Sequence, residues 1–172
     1  FGPVFFNVDN RAPTININSP KDGEIVSGMF FFDVDNGDVF KKGTDYNIDG
    51  ASWQPVSIGW NTKLIPDGPH EITIRATDLA GHITTEIIIV IVDNHDPEIT
   101  IAGPNDDEFI DDAYTFRVVA SDEVGIQRVI MKTAGREKLM SYNTQTGYYE
   151  YLLDTRSLVD GTYKINATVI DL

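Results

Sequence analysis

Apolar and polar residues alternate with a period of two through most of this chain. In His70-Glu71-Ile72-Thr73-Ile74-Arg75-Ala76-Thr77 every second side chain is apolar or aromatic, the pattern of a strand with one face on a core and one on water. Tyr163-Lys164-Ile165-Asn166-Ala167-Thr168-Val169 repeats it, and both stretches follow an Asp-Gly step, Asp67-Gly68 and Asp160-Gly161. The same reading predicts strands over 14–18, 29–35, 52–57 and 84–92, then over 98–102, 114–121, 126–133, 137–142 and 148–153. Turn signals at Asp49-Gly50, Ala134-Gly135 and Thr146-Gly147 separate several of them. No stretch carries the period of an amphipathic helix, so the predicted class is all-β, with many short strands in Greek-key sandwiches. The apolar run 87–92 breaks the alternation, so both of its faces need cover, while Glu86 and Asp93 guard its ends against aggregation.

The chain also repeats itself. Val8-Asp9-Asn10-Arg11-Ala12-Pro13-Thr14-Ile15 returns 84 positions later as Val92-Asp93-Asn94-His95-Asp96-Pro97-Glu98-Ile99, and Pro20, Asp22 and Glu24 correspond at the same offset to Pro104, Asp106 and Glu108. A repeat at domain length predicts tandem units, 11–94 and 95–172. Residues 1–10 then correspond to the last strand and seam of a preceding module, and the second unit stops short of the strand equivalent to 84–92. Val4-Phe5-Phe6-Asn7-Val8 is expected either to complete such a module or to be donated to another copy of the chain. The two Asp-Gly steps lie 93 positions apart, so the second unit has gained nine residues, which belong in loops.

The balance of 13 basic and 27 acidic residues gives a net charge of −14, spread over both units. A field of that sign repels nucleic-acid backbones and anionic lipid and favours divalent cations. No run is long enough for a membrane helix. With no cysteine, packing and strand pairing must do the work that disulfides do in many secreted sandwiches. The chain carries neither an initiator methionine nor a signal-peptide pattern, as expected of a segment of a longer polypeptide.

Pro-x-Ile-x-Ile at the start of a unit, Asp-Gly-x-His/Tyr before a strand ending Ala76-Thr77-Asp78-Leu79-Ala80-Gly81, and Val-Asp-Asn-x-x-Pro at its close resemble the tandem immunoglobulin-like modules of bacterial and archaeal surface proteins. The resemblance covers essentially the whole chain. It implies two immunoglobulin-like β-sandwiches in series, an extracellular or cell-surface location, and a structural or adhesive role without catalysis. Asp160-Gly161-x-Tyr163 is similar to the tyrosine corner of such folds, with His70 replacing the tyrosine in the first unit, and Trp53 resembles the tryptophan they bury between sheets.

Candidate chemistry is sparse. Asp33-Val34-Asp35-Asn36-Gly37-Asp38 is dense in oxygen ligands, but its glycine is misplaced for a calcium loop and no glutamate closes it. Asn105-Asp106-Asp107-Glu108 with Asp111-Asp112 is equally acidic and reads as a solvated turn. Calcium at the inter-domain seam is the one cofactor left open, with Asp93, Asn94 and Asp96 as ligands and Asp78 approaching from the adjacent loop. That seam partly resembles the calcium-bearing linkers of cadherins, and Arg11 and Ala12 depart from it at the earlier seam. His70, His82 and His95 form no catalytic motif. Trp53, Trp60, Tyr148, Tyr149 and Tyr151 are candidates for stacking on sugars, although alternation favours packing. Asn166-Ala167-Thr168 is a glycosylation sequon on an outward-facing position, which makes Asn166 the candidate modification site. The expected partners are neighbouring immunoglobulin-like modules, copies of the chain itself or a cell-surface polymer. The competing functions are an accessory module of an extracellular hydrolase and a filament or surface-layer subunit assembled by strand donation.

Overall fold

The computed structural model describes residues 2–172, and the described residues contain β-strands and three short 3-10 turns but no α-helix. The chain separates into two compact units, one ending at Asn94 and the other beginning at His95. Among the described residues, no helix is long and apolar enough to cross a membrane.

The first unit contains β1 (Ile15–Ser19), β2 (Ile25–Val26), β3 (Met29–Phe30), β4 (Asp33–Asn36), β5 (Lys41–Ile48), β6 (Gln54–Pro55), β7 (Trp60–Asn61), β8 (Gly68–Asp78) and β9 (Ile83–Val92). Its main sheet has the order β2-β9-β8-β5-β6, and β1 pairs with β4 and β3 with β7. The alternation in β8 places Ile72, Ile74 and Ala76 at zero exposure while Thr73, Arg75 and Thr77 remain part-exposed. Val26, Tyr46, Trp60, Val90 and Val92 join those isoleucines in one core, against which Ile15, Ile17, Phe30, Phe32 and Val34 of the opposite strands pack.

The second unit contains β10 (Glu98–Gly103), β11 (Ala113–Ser121), β12 (Ile126–Thr133), β13 (Arg136–Leu139), β14 (Ser141–Asn143), β15 (Tyr148–Asp154) and β16 (Ile165–Asp171). One sheet has the order β10-β11-β15-β14 and the other β13-β12-β16. Phe116, Val118, Val129, Met131, Met140 and Leu153 form the core. Ala134 and Gly135 take φ of 49° and 71° between Thr133 and Arg136, the primed two-residue turn that matches the twist of a hairpin.

Several expected strands divide or shift for identifiable reasons. The stretch 29–35 becomes β3 and β4 because the chain changes partners, from β7 to β1. The stretch 52–57 keeps two strand residues before a 3-10 turn over Val56–Ile58. Pro55 has no amide to continue the ladder, and Gly59 follows at φ 77°, where a Cβ would sit 2.9 Å from the Phe30 carbonyl oxygen. The stretch 137–142 breaks at Met140, which turns into the core as the chain crosses from β12 to β15. Residues 41–48 show no apolar alternation, yet they form β5, held between β8 and β6 by its backbone. Val4-Phe5-Phe6-Asn7-Val8 forms no strand. No strand pairs with it, and Val4, Phe5 and Phe6 are each at least 84% exposed.

The expected position of the buried tryptophan is corrected. Trp60 is 6% exposed and belongs to the core, whereas Trp53 is 37% exposed and lies on the outer face beneath Arg75. Trp53 sits on the exposed loop just before β6, while Trp60 pairs with Phe30 across β3 and β7 and so faces the packed interior. Both tryptophans lie in the first unit, so their fluorescence reports on that unit's unfolding. Trp60→Ala is expected to destabilise the first unit by about 3–5 kcal/mol in urea titrations and Trp53→Ala by less than about 1 kcal/mol. Equal losses would contradict this assignment of inside and outside.

Candidate functional site

The polar groups that sequence reasoning nominates gather at the ends of β8 and β9. Asn94 follows β9, and its side chain is consumed in binding the first unit together. Its Oδ1 accepts from the Gly28 amide at 3.1 Å and the Thr62 hydroxyl at 2.7 Å, while its Nδ2 donates to the Thr62 carbonyl and Asp67 Oδ1, each at 3.2 Å. The Asn94 amide donates to the same Asp67 oxygen at 3.0 Å. Thr62 is fully buried, so this carboxamide satisfies groups that water cannot reach. The residue expected to offer an oxygen to calcium serves instead as a clip.

At the entrance to β8, His70 is 12% exposed at its side chain. Its Nδ1 lies 2.6 Å from Asp49 Oδ2 and its Nε2 2.9 Å from the Pro66 carbonyl oxygen. Both neighbours only accept, so both contacts are hydrogen bonds only when the ring carries two protons. Burial pushes the His70 pKa down, but the hydrogen bonds to Asp49 and Pro66 and the attraction to Asp49 outweigh it, and the net shift is upward from 6.5. Burial likewise pushes the Asp49 carboxyl up, and its bonds to His70 and the Glu71 amide carry it below its ordinary value.

The corresponding site in the second unit explains the arrangement. Tyr163 donates its hydroxyl to the Val159 carbonyl, four residues upstream, at 2.8 Å. That is the corner hydrogen bond the resemblance implies, and His70 makes the same four-residue reach to Pro66 with a ring nitrogen. The histidine therefore preserves the corner and adds a carboxylate partner.

At the far end of β8, Asp78 has zero exposure. Its Oδ1 accepts from the Gly81 and His82 amides at 2.7 and 2.8 Å, and its Oδ2 from His82 Nδ1 at 2.8 Å. Burial pushes its carboxyl up, but the His82 ring, the two amides and the attraction to His82 hold the pKa below the carboxylate norm. This aspartate closes the β8–β9 turn. Asp9 brings a second carboxylate to the same place, with ligand atoms of Asp9, Asp78 and His82 all within 4.8 Å of one another.

The remaining acidic stretches have ordinary structural roles. Asp33 and Asp35 lie on β4 and accept from Asn18 Nδ2 at 3.4 and 3.0 Å, so the suspected calcium loop is a strand with solvated edges. Glu108 Oε2 accepts from the Asn105 amide at 2.7 Å, and Glu24 does the same for Lys21 at 2.6 Å, 84 positions earlier. Both are turn clips, repeated between units.

The aromatic candidates have separate environments within their own units. Trp60 is core; Tyr149 and Tyr151 are half-buried against the second core; the Arg75 guanidinium lies 4.1 Å from the Trp53 ring centroid while pairing with Asp45 at 2.8 Å. Asn166 lies on β16 and is exposed, as the sequon reading requires. Sequence reasoning missed the Asp9–Asp78–His82 grouping and Glu150, which collects Arg117, Asn143 and Thr146 on one carboxylate. The single signal for the first was an aspartate at the start of the Val-Asp-Asn seam.

The corner makes a pH dependence testable. Because the folded-state pKa of His70 is raised, its stabilisation is complete below the unfolded value near 6.5 and is lost as pH rises through the folded value. Asp49, with a lowered pKa, contributes above its unfolded value near 3.8 and loses that contribution only as pH falls through its folded value. The first unit should therefore melt higher at pH 6 than at pH 8.5, by roughly 1–4 °C. His70→Gln should remove most of that difference, read by tryptophan fluorescence. An unchanged pH profile in the variant would show that the ring's charge contributes nothing.

Comparison with known families agrees with the sandwich architecture of the second unit. The bacterial Ig domain family matches residues 97–167, and no curated protein matches the sequence. Similar solved structures include the endo-β-1,4-mannanase of Thermotoga petrophila, at 19% identity and TM-score 0.43, covering 51% of this chain and 21% of that one. Fibronectin(III)-like modules of CbhA from Clostridium thermocellum align at 16% identity and TM-score 0.48, over 91% and 85% of the two chains. The Bacteroides ovatus protein SGBP-B, solved with a mixed-linkage heptasaccharide, aligns at 14% identity and TM-score 0.37, over 94% and 46%. The chain thus spans about a fifth of the first of these. Residues 97–167, within the second unit, match the bacterial Ig domain family, and the all-β architecture of both units is that of the immunoglobulin-like sandwiches the sequence resembles.

Proposed function

We propose that the chain is a non-catalytic, load-bearing segment of a bacterial surface or secreted protein, in which immunoglobulin-like modules act in series as a spacer. The carrying observation is the parallel pairing of β2 with β9. The Gly23 amide donates to the Ile89 carbonyl at 2.7 Å, the Ile91 amide to Glu24 at 2.9 Å and the Asp93 amide to Val26 at 3.0 Å. Asp22 Oδ1 extends the row by accepting from the Ile89 amide at 2.8 Å.

Tension along the chain pulls β2 toward its N-terminus and β9 toward its C-terminus. Parallel strands pulled in opposite directions slide past each other, so these bonds are loaded together rather than opened in turn. The clip around Asn94, immediately beyond β9, supports the same reading because it ties the exit of the unit to Gly28 and Thr62. The bacterial Ig family match over residues 97–167 supports a surface or extracellular setting.

Force spectroscopy tests this directly, since introduced cysteines are unique handles in a chain that has none. Handles at Pro13 and His95 shear β2 against β9. Handles at the exposed cross-strand neighbours Glu71 and Ile89 peel the β8–β9 hairpin apart. The shear geometry is expected to need a severalfold larger force. Equal forces, together with saturable binding of the chain to immobilised cell-wall polysaccharide, would favour a carbohydrate-binding accessory module instead.

A further inference from the structure

Asp78 is fully explained by the turn that it closes, but Asp9 is not. Its Oδ1 accepts one hydrogen bond, from the Arg11 amide at 3.3 Å. Its Oδ2 has less than 1 Å² of accessible surface and no hydrogen-bond partner. Covering one oxygen of the part-exposed Asp9 carboxylate without a partner is costly, and placing it beside the buried Asp78 carboxylate adds like-charge repulsion. His82 donates its Nδ1 proton to Asp78 Oδ2, so that contact serves Asp78 and leaves Asp9 Oδ2 unmatched. A small cation between the two carboxylates meets both demands at once.

We infer that Asp9 and Asp78 form a binding site for a hard divalent cation of the calcium class, with His82 positioning the Asp78 carboxylate. The inference goes beyond the spacer function and does not depend on it. Carboxylate oxygens are the preferred ligands of such ions, and the remaining coordination falls to carbonyl oxygens and water. Two carboxylates are few for calcium, which places the site in the weak affinity class of extracellular modules, about 10⁻⁴–10⁻³ M. Bound there, the ion would tie the segment just before β1 to the β8–β9 turn of the same unit.

The test uses the full 172-residue chain, freed of metal by chelation and titrated with calcium chloride in a calorimeter and in thermal melts. The expected result is saturable binding and a melting temperature of the first unit that rises with calcium. Asp9→Asn keeps the side chain's size and leaves the Asp78 turn intact, so it should fold normally while weakening binding at least tenfold and abolishing the thermal shift. Three outcomes would overturn the proposal: no saturable calcium binding by the native chain, calcium binding that survives Asp9→Asn, or binding of zinc alone that is lost in His82→Gln. The last would mark a nitrogen-ligated site for a borderline metal instead.

Discussion

The pairing of β8 with β9 is the constraint on which the rest of the first unit depends. Ten residues of each strand face one another, from Gly68 opposite Val92 to Thr77 opposite Ile83. Because strand side chains alternate, that register commits every even-numbered residue of β8 to one face, and a slip of one position would turn the whole core face outward. Ile72, Ile74 and Ala76 fill the middle of this face. Its two ends are polar: His70 stands where the strand enters and Asp78 where it leaves. A residue on the core face near the sheet's margin cannot rely on water, so each end needs partners from outside the strand. Asp49 and the Pro66 carbonyl meet that need at one end, and the amides of Gly81 and His82 with the His82 ring meet it at the other.

The second unit reaches the same geometry with different chemistry. Tyr163 closes its corner through a neutral hydroxyl, which needs one acceptor. His70 closes the corresponding corner with a ring that donates from both sides only when charged, and a charged ring near the core needs a counterion, which Asp49 provides. The substitution therefore changes a corner closed by one hydroxyl into one coupled to a carboxylate. Glu24 and Glu108 show the opposite case, in which the same residue type performs the same clip in both units. Repetition thus preserves the position of each hydrogen bond more strictly than the group that makes it.

The fold was legible wherever burial and period agreed. The strands over 70–77, 114–121 and 126–133 lie on sheets with one wet face, so alternation reports them directly. β5 was invisible because its Lys-Lys-Gly-Thr-Asp-Tyr-Asn-Ile sequence buries one aromatic, Tyr46, and beside it the polar Asn47; it owes its existence to β8 and β6 on either side. Met140 looked like a strand residue, and nothing local announces that the chain changes sheets there. The two tryptophans illustrate the same limit. Their sequence neighbours, Ser52 and Gln54 for one and Gly59 and Asn61 for the other, do not separate them, and the difference arises from partners across the fold: Trp60 lies opposite Phe30, whereas Trp53 lies within reach of Arg75. Among site residues, the corner at Tyr163 was legible because its hydrogen bond is local in sequence. The approach of Asp9 to Asp78 was not, since it joins residues far apart in the chain.

Load transfer and polar satisfaction converge at Asn94. Within the proposed spacer, tension arriving from the second unit meets this residue before it reaches β9. Its carboxamide holds Gly28, which precedes β3, and Thr62, which follows β7, and the Thr62 amide donates to the Gly28 carbonyl. Force entering here is therefore divided between the β2–β9 pair and the β3–β7 pair, which lie in different sheets. A single strand pair resists only with its own few bonds, whereas coupling two pairs through one part-buried side chain requires them to yield together. An aspartate at this position would accept from Gly28 and Thr62 but could not donate to the Thr62 carbonyl, and it would bury a charge facing Asp67. Asparagine provides both the donors and the acceptor the clip uses, which gives the seam asparagine a physical reason independent of any metal.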